Sequence, residues 1–215
     1  MAGSYRVICI YGPDGSGKST ICNELVRVLN QKGIKATYRW MRFNHITSKV
    51  VNGIGRLTGL SEKVRYNGNV VVGYHHYNRS SALSWLYIYS TITDLFLVYP
   101  FKIVWPMLTG KVIVIDRFIY DILVDLMVDT GIDNLYKKWP IRILKKLLPV
   151  DSACFFFEVD IDTIRTRRPD TMHDINYRKK YDLYKNLSKE FALDTIDNNL
   201  PIEVAVNTIL EKIKR

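Results

Sequence analysis

Acidic residues are missing from a long stretch near the start of this chain. No Asp or Glu occurs within residues 25–61, while Arg27, Lys32, Lys35, Arg39, Arg42, Lys49 and Arg56 all fall inside it. The imbalance feeds a formal net charge of +10 over 215 residues. Such a charge points to an anionic ligand, a nucleic acid or an anionic membrane surface, with a diffuse basic surface without a partner as the alternative. Cysteine is scarce: Cys9, Cys22 and Cys154 are far apart and odd in number. They allow no disulfide framework and no metal spacing, so a reducing cytoplasm is the expected location. Cys9 and Cys154 lie in apolar runs and read as core residues. Long uninterrupted apolar runs are also absent. Residues 82–108 are strongly apolar and aromatic, but Asp94, Pro100, Lys102 and Pro106 break them. A buried helix over 83–98 is expected there, and no membrane span. Repeats, low-complexity tracts and linkers are not visible, so one domain over 1–215 is expected. The first apolar run follows Arg6 and is too short for a signal peptide; it reads as a core strand.

What is present begins with Gly12-Pro13-Asp14-Gly15-Ser16-Gly17-Lys18-Ser19-Thr20. It fits G-x-x-x-x-G-K-[ST], the Walker A or P-loop pattern. Ahead of it, residues 5–11 form an apolar, β-prone run. Behind it, Ile21, Leu25, Val28 and Leu29 fall at helical spacing. By chance the pattern arises in roughly one chain in a hundred of this length, and the flanking strand and helix reduce that further. Glycines let the loop fold so that its N–H groups converge, and the helix start adds free donors and its dipole. Gly12, Gly15, Ser16, Gly17, Lys18, Ser19 and Thr20 are therefore the candidate ATP-binding set. Lys18 is placed to reach the β- and γ-phosphates, and the Ser19 hydroxyl to meet Mg²⁺.

Along the chain, helix 1 spans 18–31 and Gly33 closes it. Strand 2 covers 34–40, and Arg39 and Arg42 at its end are candidate anion contacts. Residues 43–81 read as a short helix near 46–57 and mobile loops. His75-His76 lacks partner ligands at metal spacing and reads as a solvent-facing pair. Residues 111–116 form strand 3, ending in Asp116, which has Walker B character and suits Mg²⁺ or its water shell. Arg117 follows it directly. A helix over 118–128 places Asp121 and Asp125 one turn apart, as a solvated or capping face. An amphipathic helix over 139–148 has Lys137, Lys138, Arg142, Lys145 and Lys146 on its polar side. Strand 4 covers 153–159; Arg165, Arg167 and Arg168 then end at Pro169. A long helix carries Tyr177, Tyr181, Tyr184, Leu187 and Phe191, strand 5 covers 192–196, and a last helix covers 202–213. Alternating strands and helices argue an α/β fold with a parallel sheet covered on both faces.

With the glycine loop, Asp116-Arg117 and Arg165-x-Arg167-Arg168 in this order, the chain resembles the thymidylate kinase family of P-loop nucleoside monophosphate kinases. Residues 14–20 are similar to its D-G-x-G-K-[ST]-T, and 112–118 to its D-R-[YH] strand end. The resemblance implies a three-layer P-loop NTPase domain with a five-stranded parallel sheet in the order 2-3-1-4-5. It implies ATP and Mg²⁺ at the loop, with an anionic acceptor over the ends of strands 2 and 3, in a segment of about 39–81. Asp14 would meet the acceptor's sugar hydroxyl, Arg117 its phosphate, and Arg165, Arg167 and Arg168 a short lid over 162–178. Because Gly15 follows Asp14, the lid supplies the catalytic arginine. Lys18, Asp116 and the three lid arginines form the implied catalytic set, Ser19 and Asp116 the metal ligands. Asn198 and Asn199 fall where the family's adenine-facing loop lies. The family is often dimeric through helices like the one at 83–98, which allows a homodimer here. Two departures stand out: Asp94 is followed by Leu95 where the family has Arg, and its R-E-P-G turn is replaced by Arg39-Trp40-Met41-Arg42.

The leading expectation is transfer of the ATP γ-phosphoryl to a nucleoside monophosphate, with dTMP the first candidate. A kinase for a nucleoside or other hydroxyl acceptor is the alternative. Such an acceptor benefits from a carboxylate base, which deoxynucleoside kinases place after strand 2, inside the acid-free stretch; Asp116 remains a candidate base. A basic nucleotide- or nucleic-acid-binding ATPase is the third, although no nucleic-acid module is visible and a nucleic-acid partner is not expected. Under either kinase reading, Lys18→Ala abolishes acceptor-dependent ADP release; retention of more than about a tenth of the wild-type rate contradicts the assignment of Lys18.

Overall fold

The computed structural model describes residues 5–42, 44–66 and 70–213. In chain order the elements are β1 (Val7–Tyr11), α1 (Lys18–Gln31), β2 (Ala36–Trp40), α2 (Ser48–Leu57), β3 (Ser61–Tyr66), β4 (Val70–His75), α3 (Ser81–Tyr99), α4 (Trp105–Leu108), β5 (Val112–Asp116), α5 (Ile119–Thr130), α6 (Trp139–Lys145), β6 (Ser152–Glu158), α7 (Ile161–Arg167), α8 (Tyr177–Glu190), β7 (Asp194–Asp197) and α9 (Ile202–Ile213). The protein is α/β, with a five-stranded sheet in the order β2-β5-β1-β6-β7 and every pairing parallel. These labels differ from the expected 2-3-1-4-5. Residues 43–81 hold α2, as expected, but also the antiparallel hairpin β3–β4 in place of mobile loops. Residues 43 and 67–69 of that segment lie outside the described residues.

The central strands β1, β5 and β6 are mainly apolar sequence because helices cover both faces of the sheet. Alternation along each strand sends neighbouring side chains to opposite layers. Ile8, Ile10, Val114, Phe155 and Phe157 meet Ile21, Leu25 and Leu29 of α1 and Val206, Ile209 and Leu210 of α9. Val7, Cys9, Tyr11, Ile113, Ile115 and Phe156 face the other way, onto α3, α5 and α8. The α1 stripe at Ile21, Leu25 and Leu29 keeps one residue per turn on the sheet. All parallel strands end on the same edge, so the loops after β1, β2, β5 and β6 meet there.

The apolar segment at 82–108 runs further than its prolines indicate. Ser80 Oγ accepts from Leu83 N at 3.3 Å and starts α3. The helix then passes through a wide π turn at Pro100–Val104 into α4. A proline has no N–H and crowds the carbonyl four residues back; the wider turn absorbs that conflict without ending the helix. The result, Ser81–Leu108, is 28 residues long and apolar enough to cross a membrane by length and composition, and 44% of its most apolar window is buried in the fold.

Asp94 is the polar group that ties this helix to the rest. It is 2% exposed and accepts from Ile46 N at 3.0 Å, Thr47 N at 2.5 Å and Ser48 N at 3.1 Å, and from the Thr47 and Ser48 hydroxyls at 2.7 and 2.5 Å. A carboxylate on α3 thus satisfies the free N–H groups that open α2. Burial works against its charge, but these donors outweigh it and lower its pKa. Asp94→Ala leaves several buried donors without an acceptor. The expected loss is about 3 kcal/mol, read by urea unfolding; a loss below about 1 kcal/mol contradicts this role.

Candidate functional site

The loop between β1 and α1 holds its shape through glycine. Gly15 and Gly17 have φ of 86° and 81°, the left-handed region that side chains disfavour. Space is also closed to a side chain: a Cβ at Gly15 would lie 2.7 Å from Ile164 Cγ2, and one at Gly17 would lie 2.6 Å from Asn198 Nδ2. Lys18 is 3% exposed. Its ammonium donates to the Gly12 and Pro13 carbonyls at 2.6 Å each. Burial lowers its pKa to about 8, with Arg117 acting in the same direction and Asp121, Asp14 and Asp116 opposing.

Beside the loop, β5 delivers Asp116 at the carboxyl edge of the sheet. Its Oδ2 accepts from the Ser19 hydroxyl and from Tyr38 OH, the latter at 3.0 Å. Its Oδ1 is buried and without a hydrogen-bond partner among the described residues. A hydroxyl oxygen next to a carboxylate with an unused oxygen fits a hard divalent cation. Ser19 and Asp116 are therefore the residues that could hold Mg²⁺. No cluster of three or more His, Cys, Asp or Glu side chains that could hold a metal by itself occurs among the described residues.

Arg117 follows with φ of 64°, a conformation costly for a residue with a side chain and typical of sites that aim one. Its Nη2 donates to Asp14 Oδ1, while its Nη1 is buried without a hydrogen-bond partner among the described residues and lies 4.0 Å from Asp121. Arg42, 7% exposed, donates to Asp14 at 3.3 Å and takes Asp125 in a two-pronged pair at 2.7 and 2.6 Å. Burial alone pushes the Asp14 carboxyl up, but Arg117, Arg42 and Lys18 outweigh it and hold it well below the usual range. Tyr177 OH on α8 donates to the Asp14 carbonyl at 2.8 Å.

Gly15, Gly17, Lys18, Ser19, Thr20, Arg117, Arg167 and Arg168 line one open cavity of about 360 Å³. It carries four cationic side chains and no carboxylate. Asp14 and Arg42 stand at its margin, and Arg42 opens onto a second cavity of about 250 Å³ whose walls include His45, His75, Tyr87, Asp125, Asp129 and Lys180.

Several expected residues are placed differently. Arg39 turns back on its own strand, donating to Thr37 Oγ1 at 3.0 Å and the Tyr38 carbonyl at 2.9 Å, and lines neither cavity. Alternation along β2 gives the sheet end to Tyr38 instead. Arg165 pairs with Asp162 at 3.1 Å on the exposed side of α7 and does not line the loop cavity that Arg167 and Arg168 reach. Arg167 donates to the Asn198 carbonyl at 3.0 Å, and Arg168 pairs with Asp170. Asn198 is 4% exposed and donates to the Ser16 carbonyl at 2.6 Å, bracing the loop. The Asn199 side chain is tied to Asp197 and Asp160 N. Of the two readings for Asp121 and Asp125, a solvated face fails, while capping holds for Asp121, which takes the backbone N–H at the start of α5. Asp121 is buried and accepts from Phe118 N at 3.2 Å and Tyr184 OH at 2.7 Å. His75 is half-buried, hydrogen-bonded to Ser61 and stacked on Tyr77 at 5.0 Å, and His76 pairs with Glu62. Where the related pattern has Arg, Leu95 is 2% exposed in the core under α3.

Tyr38, Tyr177, Tyr184, Asp125, Asp129 and Lys180 enter the site without a motif to mark them. The tyrosines of α8 share one helical stripe, which reads as core packing; only the contact with Asp14 and Asp121 gives their hydroxyls a task. No protein-family model matches the chain, and no curated protein matches it.

Burial raises the Asp121 pKa to about 6, although Arg117, Lys18 and Tyr184 act to lower it. The native state then binds a proton that the unfolded chain releases near pH 4. This term adds stability below about pH 4 and loses it as pH rises to about 6, by up to roughly 3 kcal/mol. His75, lowered to about 4 chiefly by burial, acts oppositely over the same range. The readout is therefore the difference between wild type and Asp121→Asn in urea unfolding at pH 4 to 6. The wild type should lose stability relative to the variant as pH rises; parallel profiles contradict the shift.

Proposed function

We propose that this chain is an ATP-dependent phosphotransferase with a P-loop NTPase fold, similar to the thymidylate kinases. The cavity lined by the loop, Arg117, Arg167 and Arg168 carries this reading. Four cations without a carboxylate suit a polyphosphate, and a phosphoryl group in transfer spreads its charge over three oxygens. The planar guanidinium fork matches those oxygens better than an ammonium. Mg²⁺, held by Ser19 and Asp116, would supply charge neutralisation at the β- and γ-phosphates.

The remaining roles belong to the chain's own groups. Loop N–H groups and the α1 N-terminus bind phosphate oxygens. Lys18 exchanges the Gly12 and Pro13 carbonyls for phosphate oxygens. Arg117, fixed by Asp14 through one nitrogen, offers its other buried nitrogen to an anion. Arg167 and Arg168, on a segment that Pro169 ends, approach from the far side as a short lid. The acceptor enters the second cavity, on the Arg42 side of Asp14, and dTMP is the first candidate.

A second reading rests on one observation. Arg42 is already neutralised by Asp125, and the second cavity contains Asp125 and Asp129 as well. That balance favours a neutral hydroxyl acceptor over a phosphorylated one. ADP release measured across nucleoside monophosphates and nucleosides separates the two. Release with dTMP and not thymidine is expected, with Arg117→Ala raising the acceptor KM by about tenfold or more. Release with hydroxyl acceptors alone supports the second reading. Release without any acceptor, raised by DNA or RNA, overturns both.

A further inference from the structure

The outer face of α3 and α4 is apolar from end to end. Leu86, Tyr89, Phe96, Phe101, Trp105 and Leu108 are all exposed, and the last three are 76%, 67% and 76% accessible. With Thr93 they recur every three or four residues, apart from one step of five into the π turn at Pro100–Val104. The polar residue in that series, Thr93, donates its hydroxyl to the Tyr89 carbonyl at 2.9 Å. From Leu86 to Leu108 the stripe is about 33 Å long, far beyond the scattered apolar residues normal on a soluble surface.

The stripe continues sideways onto α6. Trp139, 61% exposed, sits 6.1 Å from the Tyr89 ring, centroid to centroid. Charge in the adjoining stretches of sequence is of one sign. Residues 134–150 contain Lys137, Lys138, Arg142, Lys145 and Lys146 and no acid. Lys138, Arg142 and Lys146 are exposed. Residues 95–115 contain Lys102 and Lys111, again with no acid. Aromatic and aliphatic side chains on one plane, flanked by lysine and arginine, are the composition of a helix lying in a bilayer interface.

We propose that this face docks on an anionic phospholipid bilayer. The exposed stripe of α3 and α4 enters the boundary between headgroups and acyl chains, and the α6 cations meet the headgroup phosphates. The helix lies on the membrane rather than crossing it. Its inner face supplies Leu83, Tyr87, Ile88 and Leu95 to the core, and Asp94 holds α2 in place. A second copy of the chain is a poorer occupant, because a two-fold pairing brings the one-signed α6 flanks of both copies to the same interface. The inference does not depend on the proposed phosphoryl transfer, since none of these side chains lines the loop cavity.

The test is co-sedimentation of the full chain with vesicles of pure phosphatidylcholine and of an equal mixture of phosphatidylcholine and phosphatidylglycerol. Binding to the mixed vesicles should be at least about tenfold tighter and should weaken as salt shortens the screening length. Phe101→Glu combined with Trp105→Glu should lower it by about tenfold or more, with an unchanged circular dichroism spectrum and melting temperature. Arg142→Glu with Lys146→Glu should abolish the preference for the mixed vesicles. Failure to sediment with either vesicle overturns the proposal. So does equal binding by the Phe101/Trp105 variant. A concentration-dependent dimer that this variant dissociates, without vesicle binding, assigns the face to a second copy instead.

Discussion

The Asp14 carboxylate is shared between two guanidinium groups, and much of the architecture converges on that sharing. Arg117 comes from the end of β5 and Arg42 from the chain leaving β2, while Asp14 belongs to the loop after β1. Three separate strand ends are therefore joined at one charge. Arg42 extends the linkage to α5 through Asp125, and Tyr177 extends it to α8 through the Asp14 carbonyl. With Asp125 counted, two guanidinium groups face two carboxylates, so the cluster holds the elements together at balanced charge, and the surplus of cations lies beside it, on Lys18, Arg167 and Arg168 of the loop cavity. Arg117 adopts its left-handed backbone because this cluster and the sheet together over-determine it.

The same economy appears in α3. One helix supplies core packing on its inner face, the Asp94 cap for α2, a wall of the second cavity through Tyr87, Thr91 and Leu95, and an exposed apolar stripe outside. Its two faces are both apolar for different reasons. The inner one is buried against the sheet; the outer one is exposed at Leu86, Phe96, Phe101, Trp105 and Leu108. Length and hydropathy alone do not separate these cases, and only the packing shows that a helix long enough to span a bilayer is committed to a core along one side.

Much of the fold was legible before any coordinates. β1, β5 and β6 are short apolar runs whose alternation is hidden because both faces are covered, and α1 shows a clean stripe. The glycine loop could be located because its spacing, its strand and its helix all agree. The hairpin β3–β4 was not legible: its strands carry Glu62, Lys63 and Arg65 beside Val64 and Val70 to Val72, a mixture that local patterning reads as loop. The continuation of α3 past Pro100 was missed because a proline is a strong local stop signal, and the π turn that accommodates it is invisible in sequence. Spacing at i, i+4 reads Asp121 and Asp125 as a solvated or capping face, and Asp121 does cap α5; that it is buried under Tyr184, and that Asp125 is taken by Arg42, depends on residues far away in the chain.

The sequence by itself determined the alternation of strands and helices, the loop that must carry glycine, and the inventory of cations. These are local properties: periodicity, backbone freedom and composition act within a few residues. Tertiary structure alone decided which cations matter. It set Arg117, Arg167 and Arg168 around Lys18, turned Arg39 back on its strand and Arg165 out to solvent, and engaged Asn198 as a brace. The reason is reach. A charge's role depends on which opposite charge lies within a few ångströms and how much water is excluded between them, and both are set by residues that only folding brings together.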